Sequence, residues 1–189
     1  MGYGTVARLL HWITVVLVAV MIPVGIVMTQ DNIPRSLQDP LFILHKGLGP
    51  LVLLLVLARL GWRAFHPAPP LPAIVPPLQA RAARTVHALL YVFLIVQGVS
   101  GYVRVTTGGF PIELFRALGI PPLLPKAERV GEIASGVHAV SVVVLLVLIA
   151  MHVGAAAYHG IVRRDGVFSR IWPPIAPDSR SGAASVGKG

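Results

Sequence analysis

The 189-residue sequence contains no cysteine and few charged residues. The absence of cysteine excludes iron–sulfur clusters, covalently attached c-type haem and disulfide bonds, because each of these needs cysteine sulfur. Only 12% of the residues are charged, whereas 55% are hydrophobic, and a soluble domain of this size could not cover its surface with so few charges. The composition therefore indicates an integral membrane protein. From its length we expect one compact bundle and no separate soluble catalytic domain.

The formal net charge is +9. The basic residues flank apolar stretches, and this placement is typical of residues that anchor and orient membrane helices. No pattern typical of RNA or DNA binding accompanies them, so we predict no nucleic-acid partner.

Four apolar stretches predict transmembrane helices, at about residues 8–29, 41–63, 84–105 and 133–160. The first stretch is longer than the apolar part of a typical signal peptide, and no cleavage motif follows it, so we expect it to be retained. The predicted fold is an all-α four-helix membrane bundle over residues 1–175. The Ser/Gly/Ala-rich tail, residues 176–189, is predicted to be disordered.

The connections differ in composition and charge. Residues 66–78 are proline-rich and predict an extended linker. Residues 106–132 form the longest connection, which suggests a cap over a site. If both termini are cytoplasmic, ten basic and two acidic residues lie inside, against six basic and five acidic residues outside. The positive-inside rule therefore predicts cytoplasmic termini.

Histidines stand at the ends of the apolar stretches, and His138 and His152 lie fourteen residues apart in the fourth. This separation corresponds to about 21 Å along a helix, with both side chains on nearly the same face. Because a hydrocarbon core is about 30 Å thick, one histidine lies near each membrane surface. Two stacked haems, each with two axial ligands, are the simplest explanation.

The predicted topology assigns each histidine to the inner or the outer side of the membrane. On the outer side His45 is the one partner available to His138 within the spans, whereas on the inner side His152 has His11 or His87 as a partner. A lone histidine at a helix end is ordinarily explained by a hydrogen bond, but two matched pairs favour haem. Iron with two histidine ligands passes single electrons and does not activate oxygen.

Arginines near these histidines need anionic partners. Arg8 and Arg59 are candidates for contacts to haem propionates or to a quinone. For Arg63 and Arg84, lipid phosphate is the better explanation.

Small residues accompany the histidines as well. Gly47 and Gly49 follow His45, and Gly98 and Gly101 lie one turn apart in the third helix. They could make room for a porphyrin or serve ordinary packing of membrane helices, and the sequence favours neither.

Several short segments, in this order and spacing, resemble one family. They are residues 8–12 (RLLHW), 44–49 (LHKGLG), 58–63 (ARLGWR), 66–67 (HP), 84–91 (RTVHALLY), 108–111 (GGFP), 158–159 (YH) and 164–166 (RDG), with His138 and His152. Over roughly residues 5–174 the chain resembles the bacterial cytochrome b561 family of four-helix membrane proteins that hold two b-type haems.

The resemblance implies that His11 and His152 are the axial ligands of an inner haem iron, and His45 and His138 those of an outer one. It further implies that His87 and His159 lie beside a quinone or a propionate. For His159, a simple position at the membrane interface is an equally good explanation.

The resemblance also implies an oxidoreductase of the bacterial inner membrane, surrounded by lipid, that passes electrons from superoxide outside to ubiquinone. Outer basic residues such as Lys46 and Arg104 could attract an anion, although Glu113, Glu128 and Glu132 weaken that field.

The alternative is a haem-bearing anchor of a larger dehydrogenase or hydrogenase, fed by a periplasmic redox protein that docks on the apolar segment Phe110–Pro125. A non-redox scaffold is a third possibility, and the ordered histidines argue against it.

Overall fold

The computed structural model describes residues 2–173, which contain helices and no strand. Four helices are long and apolar enough to cross a membrane, and a fifth, short helix precedes the last of them. They are α1 (Thr5–Val27), α2 (Arg35–Phe65), α3 (Pro77–Thr107), the short α4 (Glu113–Ala117) and α5 (Glu128–Ala157). A π-helical turn, Tyr158–Arg163, continues α5, and a 3₁₀ turn, Phe168–Arg170, follows. The prediction of an all-α, multi-pass membrane protein is confirmed.

The helices are longer than the apolar stretches that predicted them. Helix α2 begins at Arg35 rather than near residue 41, and α3 begins at Pro77 rather than near residue 84. The apolar pattern marks the part of a helix in hydrocarbon, whereas these first turns are polar. Proline is also tolerated at the start of a helix, where its missing N–H is not needed. Each of these two helices has 31 residues, or about 46 Å, and extends beyond the hydrocarbon.

The four long helices pack in the order α1, α2, α3, α5, each against the next. Helix α3 packs along α5, α2 packs against α3, and α1 packs against α2. Within residues 2–173, α5 does not pack closely against either α1 or α2. The backbones of α1 and α2 are therefore held apart from that of α5 across the bundle.

Large apolar side chains cover the outside of the bundle. Val16, Leu54 and Val140 are each 60% or more exposed, while Val56 is almost fully buried between helices. Such an outer surface is costly in water and suits hydrocarbon.

Both ends of the described chain meet at one end of the bundle, here named the terminal end. The backbone N–H of Tyr3 donates to the carbonyl of Arg170 (2.9 Å), and the indole of Trp12 donates to the carbonyl of Ile171 (3.0 Å). A guanidinium nitrogen of Arg170 donates to the carbonyl of Pro69 in the proline-rich linker. The end that carries α4 is named the opposite end. Cytoplasmic termini stay a prediction, and the predicted disordered tail, residues 176–189, lies outside the described residues.

Candidate functional site

At the terminal end, a histidine from α1 faces a histidine from α5. The ring centres of His11 and His152 are 6.2 Å apart, and the ring planes are almost perpendicular, at 82°. The Nδ1 atom of His11 is buried and has no hydrogen-bond partner among the described residues. The two rings thus face each other between helices that do not pack together.

At the opposite end, the same arrangement joins α2 to α5. The ring centres of His45 and His138 are 6.4 Å apart, with an interplanar angle of 80°. The Nδ1 atom of His45 also lacks a partner among the described residues. The spacing of His138 and His152 along α5 therefore places one ring pair at each end of the bundle.

The geometry of both pairs suits haem iron. Two imidazoles on opposite sides of one metal ion, each bonded at about 2 Å, would have ring centres about 6 Å apart. Both pairs also lie across the separation between α5 and the helices α1 and α2. Within residues 2–173 no group of three or more His, Cys, Asp or Glu side chains could hold a metal ion directly. Two opposed imidazoles instead match the ligand set of a haem with two histidine ligands.

His87 lies beside the terminal-end pair, and its geometry differs from that of His11. Its ring centre is only 5.0 Å from that of His152. Its Nδ1 donates to the carbonyl of Ala83 at 2.6 Å, one helical turn earlier. Two imidazoles bonded to one metal ion need about 6 Å between their ring centres, and 5.0 Å is shorter than that. The geometry therefore favours His11 as the partner of His152 and places His87 next to them.

Two glycines allow the opposite-end rings to approach neighbouring helices. A Cβ atom on Gly25 would lie 2.9 Å from Cε1 of His45, and a Cβ on Gly101 would lie 2.9 Å from Cε1 of His138. Real Cβ atoms do not tolerate such distances, so these two positions need glycine. Of these two glycines, the sequence pattern marked Gly101 as a candidate for close approach to a cofactor, and it did not mark Gly25 as one.

The other glycines noted in the sequence face side chains of neighbouring helices. A Cβ on Gly98 would meet Leu53, at 3.0 Å, while one on Gly47 or Gly49 would come no closer than 3.8 Å to a side chain. Gly98 therefore serves the packing of α3 against α2, and room for a porphyrin at Gly47 and Gly49 stays a prediction.

A polar network surrounds His138. Its Nδ1 donates to the backbone carbonyl of Gln97 (3.1 Å), and its Nε2 accepts from the Gln97 amide (3.0 Å). The Ser141 hydroxyl in turn donates to the Gln97 side-chain oxygen, and the Ser100 hydroxyl lies 3.3 Å from Nδ1. This pattern assigns the proton to Nδ1 and leaves the Nε2 lone pair as the metal-binding one. Iron at Nε2 would take the place of the Gln97 amide.

Arg59 lies near the terminal-end histidines without an acidic partner. Its guanidinium carbon is 5.4 Å from the ring centre of Tyr91, and it is close enough to His11 and His152 to act on them electrostatically. None of the salt bridges within residues 2–173 involves Arg59. A mostly buried guanidinium without a carboxylate needs an anion from elsewhere.

Arg8, unlike Arg59, donates hydrogen bonds to backbone carbonyls. Its Nε donates to the carbonyl of Tyr3 (2.7 Å), and its Nη1 donates to the carbonyl of Pro173 (3.2 Å). These bonds tie it to the chain segments that meet at the terminal end.

His159 is paired with Asp165. Its Nδ1 lies 2.6 Å from the carboxylate, and the two side chains are only 14% and 3% exposed. Burial acts to raise the pKa of Asp165, but the hydrogen bond with His159 outweighs it, so the pKa is lowered from its ordinary value. Within residues 2–173 no ring contact joins His159 to the other histidines of this end; its ring contact is with Tyr158.

The long connection folds over the opposite end, as the sequence suggested. Lys46, the residue after His45, donates to the carbonyl of Pro111 and to the carboxylate of Glu113, both at 2.8 Å. Burial acts to raise the pKa of Glu113, but the Lys46 hydrogen bond contributes to a net lowering. Lys46 thereby fixes α4 beside the histidine pair, and its charge is neutralised.

Sequence analysis missed two polar contributors, Gln97 and Ser141. Each is a polar residue inside an apolar stretch, and that signal could have identified both, because polar groups at membrane depth need partners. The Asp165 partner of His159 has a weaker signal. Before the tail, it is the only acidic residue of the segments predicted to lie inside.

Comparisons with known proteins identify the family of this chain. The family model described as prokaryotic cytochrome b561 matches residues 2–174. Cytochrome b561 homolog 2 of Escherichia coli (strain K12) is 32% identical over 173 residues, which cover 89% of this chain and 90% of that protein. Cytochrome b561 homolog 1 of the same organism is 24% identical over 166 residues (87% and 93%). The probable superoxide oxidase CybB of Yersinia pestis is 24% identical over 168 residues (87% and 92%).

The family match covers nearly the whole described chain, and the histidine geometry suits the b-type haem that the family name implies. The chain therefore belongs to the prokaryotic cytochrome b561 family and is a haem-binding electron-transfer protein of the membrane.

Proposed function

We propose that this protein carries electrons through two b-type haems from superoxide, at the opposite end of the bundle, to ubiquinone at the terminal end. The opposite end would face the periplasm and the terminal end the cytoplasm of the bacterial inner membrane. The transmembrane domain would be residues 1–175. Each ubiquinol formed would consume two superoxide anions, one ubiquinone and two protons, and would release two molecules of dioxygen.

One observation carries the proposal: two facing histidine pairs, with ring centres 6.2 and 6.4 Å apart, at the two ends of one bundle. A single pair would hold a redox centre at one surface only. Two pairs, each with one histidine from α5, would hold a redox centre at each surface.

The haems, when bound, supply reversible one-electron transfer. His11 and His152 would hold one, and His45 and His138 the other. The Nδ1 hydrogen bond of His138 fixes its tautomer and its ring orientation. Arg59 would offer its guanidinium to a propionate.

The opposite end supplies positive charge for an anionic donor. Arg104 is close enough to His45 and His138 to act on them electrostatically, and it forms no salt bridge within residues 2–173. Lys46 is neutralised by Glu113. Arg104 is thus better placed than Lys46 to attract superoxide. The relationship to a probable superoxide oxidase supports this donor.

At the terminal end, ubiquinone would lie near the inner haem, with His87 and His159 as its neighbours. His159 is held through Nδ1 by Asp165, so its Nε2 remains to hydrogen-bond a quinone oxygen or to deliver a proton. His87 is held likewise by the Ala83 carbonyl.

Stopped-flow visible spectroscopy tests the proposal. Purified, oxidised protein is mixed with superoxide, with and without ubiquinone. We expect a reduced b-type spectrum to appear quickly and to reoxidise when quinone is present. A b-type spectrum that a chemical reductant changes but superoxide does not would refute superoxide as the donor. Protein without any b-type spectrum would refute the redox function itself.

A second function is favoured by one observation. Three apolar residues of the connection over the opposite end are strongly exposed: Phe110 and Leu118 at 65%, and Leu123 at 71%. Such residues could dock a periplasmic redox protein, in which case the chain would be the haem-bearing anchor of a larger dehydrogenase or hydrogenase. Co-purification of a stoichiometric redox subunit from gently solubilised membranes would favour this function over the first.

A further inference from the structure

A basic cavity opens at the terminal end, and none of the paired histidines lines it. It has a volume of about 470 Å³ and is formed by the start of the chain, the proline-rich linker and the segment after α5. The lining residues are Gly2, Arg8, Pro70, Pro72, Gly166, Ser169 and Arg170. Both charged lining residues are arginines, and no carboxylate lines the cavity.

Arg170 is built into the wall of this cavity. The residue is 8% exposed, one of its terminal nitrogens donates to the carbonyl of Pro69, and its guanidinium lies 5.6 Å from the ring centre of Tyr3. Its Nε is buried and has no hydrogen-bond partner among the described residues. With no salt bridge within residues 2–173 either, the charge of Arg170 is not neutralised there, which favours an anion in the cavity that Arg170 lines.

Arg8 also lines this cavity. The carbonyls of Tyr3 and Pro173 hold two of its nitrogens, and the third lies against Gly2. Neither Arg8 nor Arg170 forms a salt bridge within residues 2–173. Two arginines thus line one cavity without a carboxylate partner among the described residues, and backbone carbonyls hold both guanidinium groups.

We propose that this cavity binds a phosphate group, carried either by an anionic phospholipid headgroup or by a free phosphate ion. Guanidinium N–H groups match phosphate oxygens in geometry and charge. The cavity lies at an end of the transmembrane helices, where lipid headgroups lie in a bilayer. None of the histidines of the proposed electron path lines the cavity, and the site gives Arg8 a partner other than a propionate or a quinone.

Binding can be measured with the intact, haem-loaded protein in detergent. Thermal unfolding is followed while phosphatidylglycerol is added to the micelles and, separately, while inorganic phosphate is added at constant ionic strength. Native mass spectrometry counts the bound lipid. The variants are Arg8→Gln and Ser169→Glu, the second of which places a carboxylate at the cavity rim. Arg81→Gln, a charge removal at the same end outside the cavity, is the matched control.

We expect phosphatidylglycerol to stabilise the wild type and Arg81→Gln at similar concentrations, and both cavity variants to need at least about tenfold more. Stabilisation by inorganic phosphate at low concentration would identify free phosphate as the ligand; stabilisation by the lipid alone would identify the headgroup. Equal lipid affinity in all four proteins, or no response to either probe, would overturn the proposal. If Arg8→Gln loses its haem, Ser169→Glu decides, because among residues 2–173 the Ser169 side chain bonds only to the nearby Gly166 carbonyl.

Discussion

The Nδ1 atom of His159 lies 2.6 Å from Oδ2 of Asp165, six residues further along the chain. The backbone makes this contact possible: Arg164 adopts a left-handed conformation (φ 50°), and Gly166 has a positive φ of 82°. The chain therefore reverses directly after the π-helical turn and brings the carboxylate back to the ring. A carboxylate on Nδ1 fixes the orientation of the imidazole and leaves Nε2 for another partner.

If this pair serves quinone reduction, Asp165→Asn should slow the reoxidation of the reduced protein by ubiquinone by about 10- to 100-fold. Reduction at the opposite end and the visible spectrum should not change, because neither depends on His159. Stopped-flow traces of both half-reactions measure the effect, and Asp39→Asn, the same change far from this pair, is the control. An unchanged quinone rate in Asp165→Asn would show that the pair is only structural.

The same pair predicts a pH dependence of stability. The pKa of Asp165 is lowered from its ordinary value of 3.8, so its stabilising contribution is present above that value and is lost as the pH falls through the lowered pKa. The wild type should unfold at a higher temperature than Asp165→Asn near neutral pH, and the difference should shrink in acid. Thermal unfolding of both proteins over a pH series measures this difference. A difference in unfolding temperature that stays constant down to acid pH would contradict the prediction.

Substitutions of His11 and His87 should have different effects on haem content. The 6.2 Å separation of His11 from His152 suits two ligands of one iron, whereas the 5.0 Å separation of His87 does not. His11→Ala should reduce the haem content from two per chain to one, and His87→Ala should leave two. Pyridine haemochrome analysis against protein concentration measures this. The reverse result would make His87 the ligand.

The glycine at position 101 should be essential for the opposite-end haem. Gly101→Ala places a Cβ 2.9 Å from the His138 ring, so we expect loss of that haem and destabilisation by about 1–3 kcal/mol. A Cβ on Gly136, in α5, would meet nothing within 4 Å. Gly136→Ala should therefore keep both haems and gain about 0.5–1 kcal/mol from helix propensity. Haem content and thermal unfolding of the two variants provide the comparison.

The sequence predicted the parts of this molecule that depend on distance along one helix. The fourteen-residue separation of His138 and His152 predicted two rings about 21 Å apart along one helix, one toward each end of the bundle, without knowledge of any neighbour. The choice between His11 and His87 could not be made in this way, because both begin helices at the same end. That choice depends on how far each helix stands from α5, which only the tertiary structure gives.

Contacts between helices were beyond the sequence for the same reason. Gly25 matters because α1 passes close to the His45 ring, and nothing local to Gly25 reveals this. The first turns of α2 and α3 were not predicted, because polar helical turns carry no apolar pattern. The cavity at Arg170 joins three distant segments, which a sequence cannot bring together.

The last prediction concerns Lys46 and Glu113, whose salt bridge holds α4 beside His45. Because the pKa of Glu113 is lowered, its carboxylate is charged at neutral pH and cancels the charge of Lys46. If superoxide is the donor, Glu113→Gln should accelerate haem reduction and Lys46→Gln should slow it. A unit charge about 10 Å from the anion changes its energy in water by about 0.4 kcal/mol, or about twofold in rate.

Stopped-flow reduction by superoxide at low and high ionic strength measures this, with an uncharged reductant as the control. Salt should abolish both effects, because the screening length falls to about 3 Å at 1 M. The uncharged reductant should not distinguish the variants. If both substitutions instead accelerate reduction at every ionic strength, the salt bridge acts by holding α4 closed over the histidine pair, and electrostatic attraction of the donor is refuted.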